Sequence, residues 1–331
     1  MNVRGHKAVG AKPKVFLTGA TGFIGGRLLR ILNQEGLPTR CIARSLDRFP
    51  RELAGSCEVE VVQGDLLNRE GLERAMEGME VAYYLVHSMG GRSVFHHKTY
   101  IGRDLQAAEN FVRAADAAGL NRIIYLGGLG EMADNLSAHL MSRQRVGQIL
   151  QSGRVKTTVL RAANIIGAGG APFEMLRHLA ERLPVMICPR WIDTRCQPIA
   201  VENVIEYLIG CVSQPATAGL TLDIGGPDII TYRELMEIYA QMRGLHRMFV
   251  AVPFLSPVLS SYWISLVTPV PAGIVMPLVE GLKNEVICKD NRILELVPIR
   301  LLSMKEAICN ALAELEQRAG KPISRQACFL P

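Results

Sequence analysis

Short apolar runs alternate with longer stretches in which apolar residues recur every three or four positions. The runs fall at residues 15–17, 39–43, 59–62, 81–86, 121–126 and 156–160. Each has the length of a strand. The 81–86 run is unbroken, with no alternation of polar and apolar positions, which predicts a strand covered on both faces. Helical spacing lies between the runs. Leu28, Leu29, Ile31 and Leu32 mark one helix, and Leu105, Ala108, Phe111, Val112 and Ala115 mark another across 94–119. A third covers 136–150. This alternation predicts an α/β fold with a doubly wound parallel sheet. Past residue 167 the pattern becomes mixed, with helices at 173–183, 201–212, 232–242 and 303–318. Thr231 and Glu234 form a capping box for one of them, and Met304, Ala307, Ile308, Ala311, Leu312 and Leu315 share a face of the last. The expected organisation is an N-terminal arm (1–13), a first unit (14–167), a small mixed C-terminal subdomain interleaved with it (168–319) and a tail (320–331). The glycines at 167–170 predict a mobile loop.

Residues 248–279 run for 32 positions without a charge. Prolines 253, 257, 269, 271 and 277 interrupt them, and the longest proline-free stretch inside, 258–268, is eleven residues. That is too short to span a bilayer. Three readings stay open: a buried proline-punctuated segment, an apolar pocket or lid, or a face that docks on a protein complex or the periphery of a membrane.

The first strand leads into Gly19-Ala20-Thr21-Gly22-Phe23-Ile24-Gly25, and a helix follows. Strand, glycine turn and helix are the context of a dinucleotide fingerprint. Gly19 lets the chain leave the strand sharply, Gly22 lets a pyrophosphate approach the backbone, and Gly25 lets the helix pack closely. The diphosphate would sit on free N–H groups at the positive end of the helix. About twenty positions on, an NAD site carries an acid. Here Ile42, Ala43 and Arg44 stand there, with Asp47 three residues into the loop. Arginine suits a 2′-phosphate, so NADP is expected over NAD.

The turn TGATGFIGG resembles that of extended and atypical short-chain dehydrogenase/reductases. The resemblance continues at Gly64-Asp65-Leu66, at 83–88 (YYLVHS), at 122–128 (RIIYLGG) and at 159–167 (VLRAANIIG), covering roughly residues 14–315. It implies a Rossmann-type sheet and a nicotinamide cofactor. It also implies that Asp65 meets the adenine amine and Leu66 its ring. Leu85, Val86 and His87, with Ser88, would line the ribose and nicotinamide end, along with Gly127, Arg143 and Ala162. Asp65 could equally cap the next helix, and His87 could be structural.

The same resemblance exposes a departure. The family's reaction uses a Ser or Thr after the fifth strand, a Tyr, and a Lys four residues beyond it. The first position falls on Gly127-Gly128, and the pair falls on His139 and Arg143. Two readings follow. In one, the protein is an oxidoreductase or isomerase acting by hydride transfer on an apolar or carbonyl substrate. His139, or His87 with Ser88, would then be the proton source and Arg143 the charge partner, since histidine titrates near neutral pH. In the other, it binds NADP(H) without turning it over. It would then resemble NmrA-like regulators or the nucleotide-binding accessory subunit of respiratory complex I.

Charge and cysteine content change little. The net charge of +6 owes much to Arg4, Lys7, Lys12 and Lys14, with no acid among the first fourteen residues. No aromatic residue accompanies these cations there, so no nucleic-acid partner is expected. The basic start has no apolar stretch after it, which predicts a cytoplasmic protein. The eight cysteines form no C-x-x-C pair and no zinc-ligand spacing with histidine, so reduced thiols and no metal are expected. His96 and His97 are adjacent and point about 100° apart on a helix, which is poor geometry for one ion.

Overall fold

The computed structural model describes residues 12–50, 52–53, 56–87, 97–130, 136–252 and 257–320. Its first strands are β1 (Val15–Thr18), β2 (Thr39–Ala43), β3 (Val59–Gln63), β4 (Val81–Tyr84), β5 (Arg122–Gly128) and β6 (Thr157–Ala162). Shorter ones follow: β7 (Ile165–Ile166), β8 (Val185–Pro189), β9 (Arg195–Cys196) and β10 (Ile199–Ala200). The last are β11 (Thr221–Ile224), β12 (Ile230–Thr231) and β13 (Met248–Val252). The helices begin with α1 (Phe23–Gln34), α2 (Arg69–Met76), α3 (His97–Ala118) and α4 (Ala138–Gln151). Then come α5 (Ala171–Arg182), α6 (Val201–Ser213), α7 (Tyr232–Met242) and α8 (Pro257–Val267). The series ends with α9 (Ala272–Gly281), α10 (Arg292–Leu296) and α11 (Met304–Arg318).

Seven strands make one parallel sheet in the order β3-β2-β1-β4-β5-β6-β11. Side chains alternate across it. Val15, Leu17, Tyr83 and Ile124 pack with Leu28 and Leu32 of α1 and Val204 and Leu208 of α6. Phe16, Ala82, Tyr84 and Ile123 turn the other way, onto Leu72 of α2, Phe111 of α3 and Val146 of α4. Helices therefore cover both faces, which is why these strands read as continuous apolar runs. This is the doubly wound Rossmann-like architecture, and the sheet order reverses beside β1, where such folds open a crevice.

The small strands pair outside this sheet: β7 with β10, β9 with β12, and β8 with β13. Arg27 of α1 grips both carboxylate oxygens of Glu314 on α11, at 2.8 and 2.7 Å, and joins the first and last helices. The capping box of α7 forms as expected, and Ser303 with Glu306 makes a second on α11.

Several boundaries differ from the sequence expectation. β4 stops at Tyr84, and β5 runs through Gly127 and Gly128 rather than ending before them. The 167–170 glycines form a packed turn, with Gly169 exposed at the cleft. The Gly170 N–H donates to the Gly167 carbonyl, and a Cβ on Gly170 would press within 2.8 Å of the Phe23 ring. The uncharged segment supplies β13, α8 and α9, and among the described residues no helix is long and apolar enough to cross a membrane. Cys41, Cys57, Cys188, Cys196, Cys211 and Cys288 are free thiols, but Cys309 is disulfide-bonded, which corrects the expectation at that position. No cluster of metal-ligating side chains occurs among the described residues.

Candidate cofactor and substrate cleft

The carboxyl ends of β1, β2, β4, β5 and β6 open onto a cleft of about 950 Å³. Thr18, buried at the end of β1, joins two of these strand ends. The Thr18 hydroxyl donates to the Tyr83 carbonyl and accepts from the Leu85 N–H, each at 3.0 Å, clamping the ends of β1 and β4 together. The chain then turns at Gly19, where φ is +73°. A Cβ there would stand 2.6 Å from the Leu85 carbonyl oxygen, so only glycine fits. The Gly22 N–H closes the turn on the Gly19 carbonyl at 2.9 Å.

α1 starts at once. No side chain caps it, and no acid lies in its first turn. Its amino end therefore faces the cleft with unpaired donors and a positive dipole end, which suits a diphosphate. Thr21, Gly22, Phe23, Ile24 and Gly25 all line the cleft. Ala20 does not: it is 1% exposed and its side chain packs into the core beneath the turn.

At one end of the cleft, Arg44 projects exposed from the end of β2, near Asp65 and Leu66 after β3. Asp65 accepts from the Leu67 N–H at 3.0 Å. The alternative of Asp65 as the cap of α2 is set aside, because Asn68 holds that place and accepts from the Gly71 N–H. Leu66 is pinned by Asn110 of α3, which donates to its carbonyl at 3.0 Å.

At the other end, Leu85, Val86 and His87 face Gly127, Arg143 and Ala162 across the ends of β4, β5 and β6. Arg143 is 9% exposed. Its guanidinium donates to the Leu126 and Val86 carbonyls and lies 5.0 Å over the Tyr125 ring. The Tyr125 hydroxyl donates back to the Arg143 carbonyl at 3.0 Å. One helical turn earlier, His139 lines the same wall, its ring 6.3 Å from that of His87. His87 is exposed to solvent at the cleft. The surrounding protein and the Arg143 charge hold its pKa down, to about 4, so the ring is neutral at pH 7. Gly128 makes room for α4, since a Cβ there would meet Leu140 at 2.9 Å. Ser88 and His96 lie outside the described residues.

Sequence reasoning missed several wall residues. Asp104 of α3 and Tyr232 face the cleft, beside Asn164 of the turn after β6. Asp104 falls on the helical period with the core residue Ala108, a signal that was available. Tyr232 opens α7 far along the chain, and only the fold brings it here. α9 supplies an apolar wall of Ile274, Pro277 and Leu278. The uncharged segment thus contributes its second helix to the cleft.

Comparison with known proteins agrees with this geometry. Residues 19–166 match the family model described as NAD(P)H-binding. The chain is 29% identical over 249 residues to the ceramide reductase of Caulobacter vibrioides, covering 74% of this chain and 75% of that protein. It is 24% identical over 302 residues to the mitochondrial NADH dehydrogenase [ubiquinone] 1 alpha subcomplex subunit 9 of Arabidopsis thaliana, covering 86% and 74%. The crystal structure of Citrobacter sp. triphenylmethane reductase complexed with NADP(H) superposes with a TM-score of 0.70 at 20% identity, covering 90% of this chain and 99% of that one. Over residues 19–166 the chain thus matches an NAD(P)H-binding domain, and its fold is that of the solved triphenylmethane reductase.

Proposed function

We propose that the protein is an NADP(H)-dependent reductase of a carbonyl group on a largely apolar substrate, working without the usual Tyr-Lys pair. One observation carries this reading. The cleft runs unbroken from the glycine turn to the α9 wall, and His87, His139 and Arg143 stand between the two ends. A bound nicotinamide would supply the hydride for the carbonyl carbon. The chain's own part is to hold the diphosphate on the amino end of α1, exclude water with Ile274 and Leu278, and provide a proton for the carbonyl oxygen. His139 is assigned that proton. His87 is a neutral ring at pH 7 and serves as a hydrogen-bonding neighbour. Arg143, tied to two strand-end carbonyls, acts as a fixed positive charge beside the ribose. Arg44 selects the 2′-phosphate, so NADPH is the expected form. The names of the Caulobacter and Citrobacter relatives, both reductases, support the reaction class.

The same Arg143 tether favours a second reading. An arginine bound to carbonyls on both sides has little freedom to take part in a reaction, and the Arabidopsis relative is named as a respiratory-complex subunit. Under this reading the chain holds its nucleotide as a sensor or accessory subunit. Single-turnover oxidation of bound NADPH by long-chain ketones, enones and quinones separates the two. Oxidation by any of them supports the reductase, and tight binding without oxidation across the panel supports the holder.

A further inference from the structure

β8 and β13 pair in parallel, with Val185 opposite Met248 and Ile187 opposite Val250. Parallel strands are normally covered on both faces. Here one face is covered: Met186 and Phe249 turn inward onto Val275 and Val279 of α9. The other is bare. Val185, Ile187, Met248 and Val250 are 46, 49, 62 and 41% exposed, where a solvated face would carry polar residues. Leu266 of α8 is a further exposed apolar residue, at 83%, and Arg182 ties the end of α5 to the end of α8 by donating to the Val267 carbonyl.

Arginines outnumber acids beside this face: Arg182, Arg243 and Arg247 stand with Glu181. Arg182 is anchored on a backbone carbonyl, and Arg247 on those of Ala180, Glu181 and His246. Carbonyls hold a guanidinium without cancelling its charge. Arg243 adds a third cation, paired at 3.7 Å with Glu181, which also accepts from the Tyr239 hydroxyl. Apolar side chains flanked by two arginines held on carbonyls, Arg182 and Arg247, match a bilayer surface with anionic headgroups, where the former enter the acyl boundary and the latter meet phosphates.

We propose that the β8–β13 ribbon, with Leu266, docks the protein on an anionic lipid surface. The inward face of the ribbon shares one core with α9, and α9 is the apolar wall of the cleft. Docking therefore brings the wall that would hold an apolar substrate toward the bilayer. This inference does not depend on whether the cofactor turns over.

The test is flotation of the full chain with two kinds of vesicle: phosphatidylcholine alone, and phosphatidylcholine with phosphatidylglycerol. The expected result is binding to the second kind at low salt, weakened by added salt. The double variant Ile187→Glu/Val250→Glu should lower the partition coefficient by about tenfold or more. Leu266→Glu, at a site too exposed to affect folding, should lower it less. NADPH affinity should stay unchanged in both, which keeps a failure of docking distinct from a failure of the cofactor site. No flotation overturns the proposal. So does equal binding to both kinds of vesicle, or binding that neither variant weakens. A dimer that the same substitutions split, without vesicle binding, overturns it in favour of a second copy of the chain.

Discussion

Gly25 and Gly19 are in backbone contact: a Cβ on Gly25 would stand 2.1 Å from the Gly19 carbonyl oxygen. Sequence spacing suggests that this glycine lets α1 pack near the sheet, but the neighbour it spares is its own turn. Gly22 differs, since a Cβ there would meet only that same oxygen, at 3.2 Å. Gly25→Ala must open the turn and should cost about 1–3 kcal/mol of stability, seen in urea unfolding. Gly22→Ala should leave the unfolding midpoint near that of the parent while NADPH affinity falls at least about tenfold. Equal melting of the two variants would contradict this division of labour.

Arg44 lies exposed at one end of the cleft, near Asp65 and Leu66. Hydrogen bonds to a charged partner are worth about 1.5–3 kcal/mol, or roughly ten- to hundredfold in affinity. Arg44→Ala should weaken NADPH by that factor and leave NADH within about threefold of its starting value. Fluorescence titration of both cofactors gives the ratio, and a parallel loss for both would remove Arg44 as the 2′-phosphate ligand.

The sheet and the glycine turn were legible because their signals are local. Apolar runs covered on both faces give β1 and β4, and a positive φ beside a strand end needs Gly19. That the Ala20 side chain turns into the core while Thr21 lines the cleft is not disclosed by its neighbours in sequence. The 248–279 segment was illegible for another reason. Its composition is uniform, yet α9 walls the cleft while Leu266 of α8 faces water, and only packing separates them. Tyr232 reaches the cleft through the fold alone. Arg143 could be placed by motif, but its tether to two strand-end carbonyls could not.

His87 gives a pH signature. Its pKa in the folded protein is lowered from the ordinary 6.5 to about 4, first by the surrounding protein and then by Arg143. Between these values the unfolded chain binds the proton and the folded chain does not, so stability rises with pH across roughly 4 to 6.5. As pH falls through that window, stability is lost. Water in the cleft offsets part of the penalty, so the slope rather than its integral is the observable. Denaturation midpoints of His87→Asn should be flatter over the window than those of the parent protein. An unchanged slope would assign the dependence to other groups.

Asp223 is fully buried on β11 and stands opposite Arg161 of β6 in register. It accepts from Arg161 at 2.7 Å and from the Lys289 and Asp290 N–H groups at 3.0 and 3.3 Å. One carboxylate thus fastens the sheet edge to the chain before α10. Asp223→Ala leaves a guanidinium and two N–H groups without it and should cost about 3–5 kcal/mol. Urea unfolding measures this, and a loss below about 1 kcal/mol would place the pair among weak surface bridges.

His139 separates the reductase from the nucleotide holder. It occupies the cleft wall between the nucleotide end and α9, one helical turn before Arg143. Arg143 spends its guanidinium on strand-end carbonyls, whereas His139 stands half-buried in the first turn of α4, on the cleft wall. If it protonates the carbonyl oxygen, His139→Ala should lower single-turnover NADPH oxidation by about 10²–10⁴-fold while the NADPH dissociation constant changes less than about threefold. His139→Gln should keep the contact without supplying the proton and fall in the same range. A loss of cofactor affinity equal to the loss of rate would instead make His139 a binding residue. Unchanged oxidation in both variants would move the proton source to another group in the cleft, and Tyr232 is the next to replace.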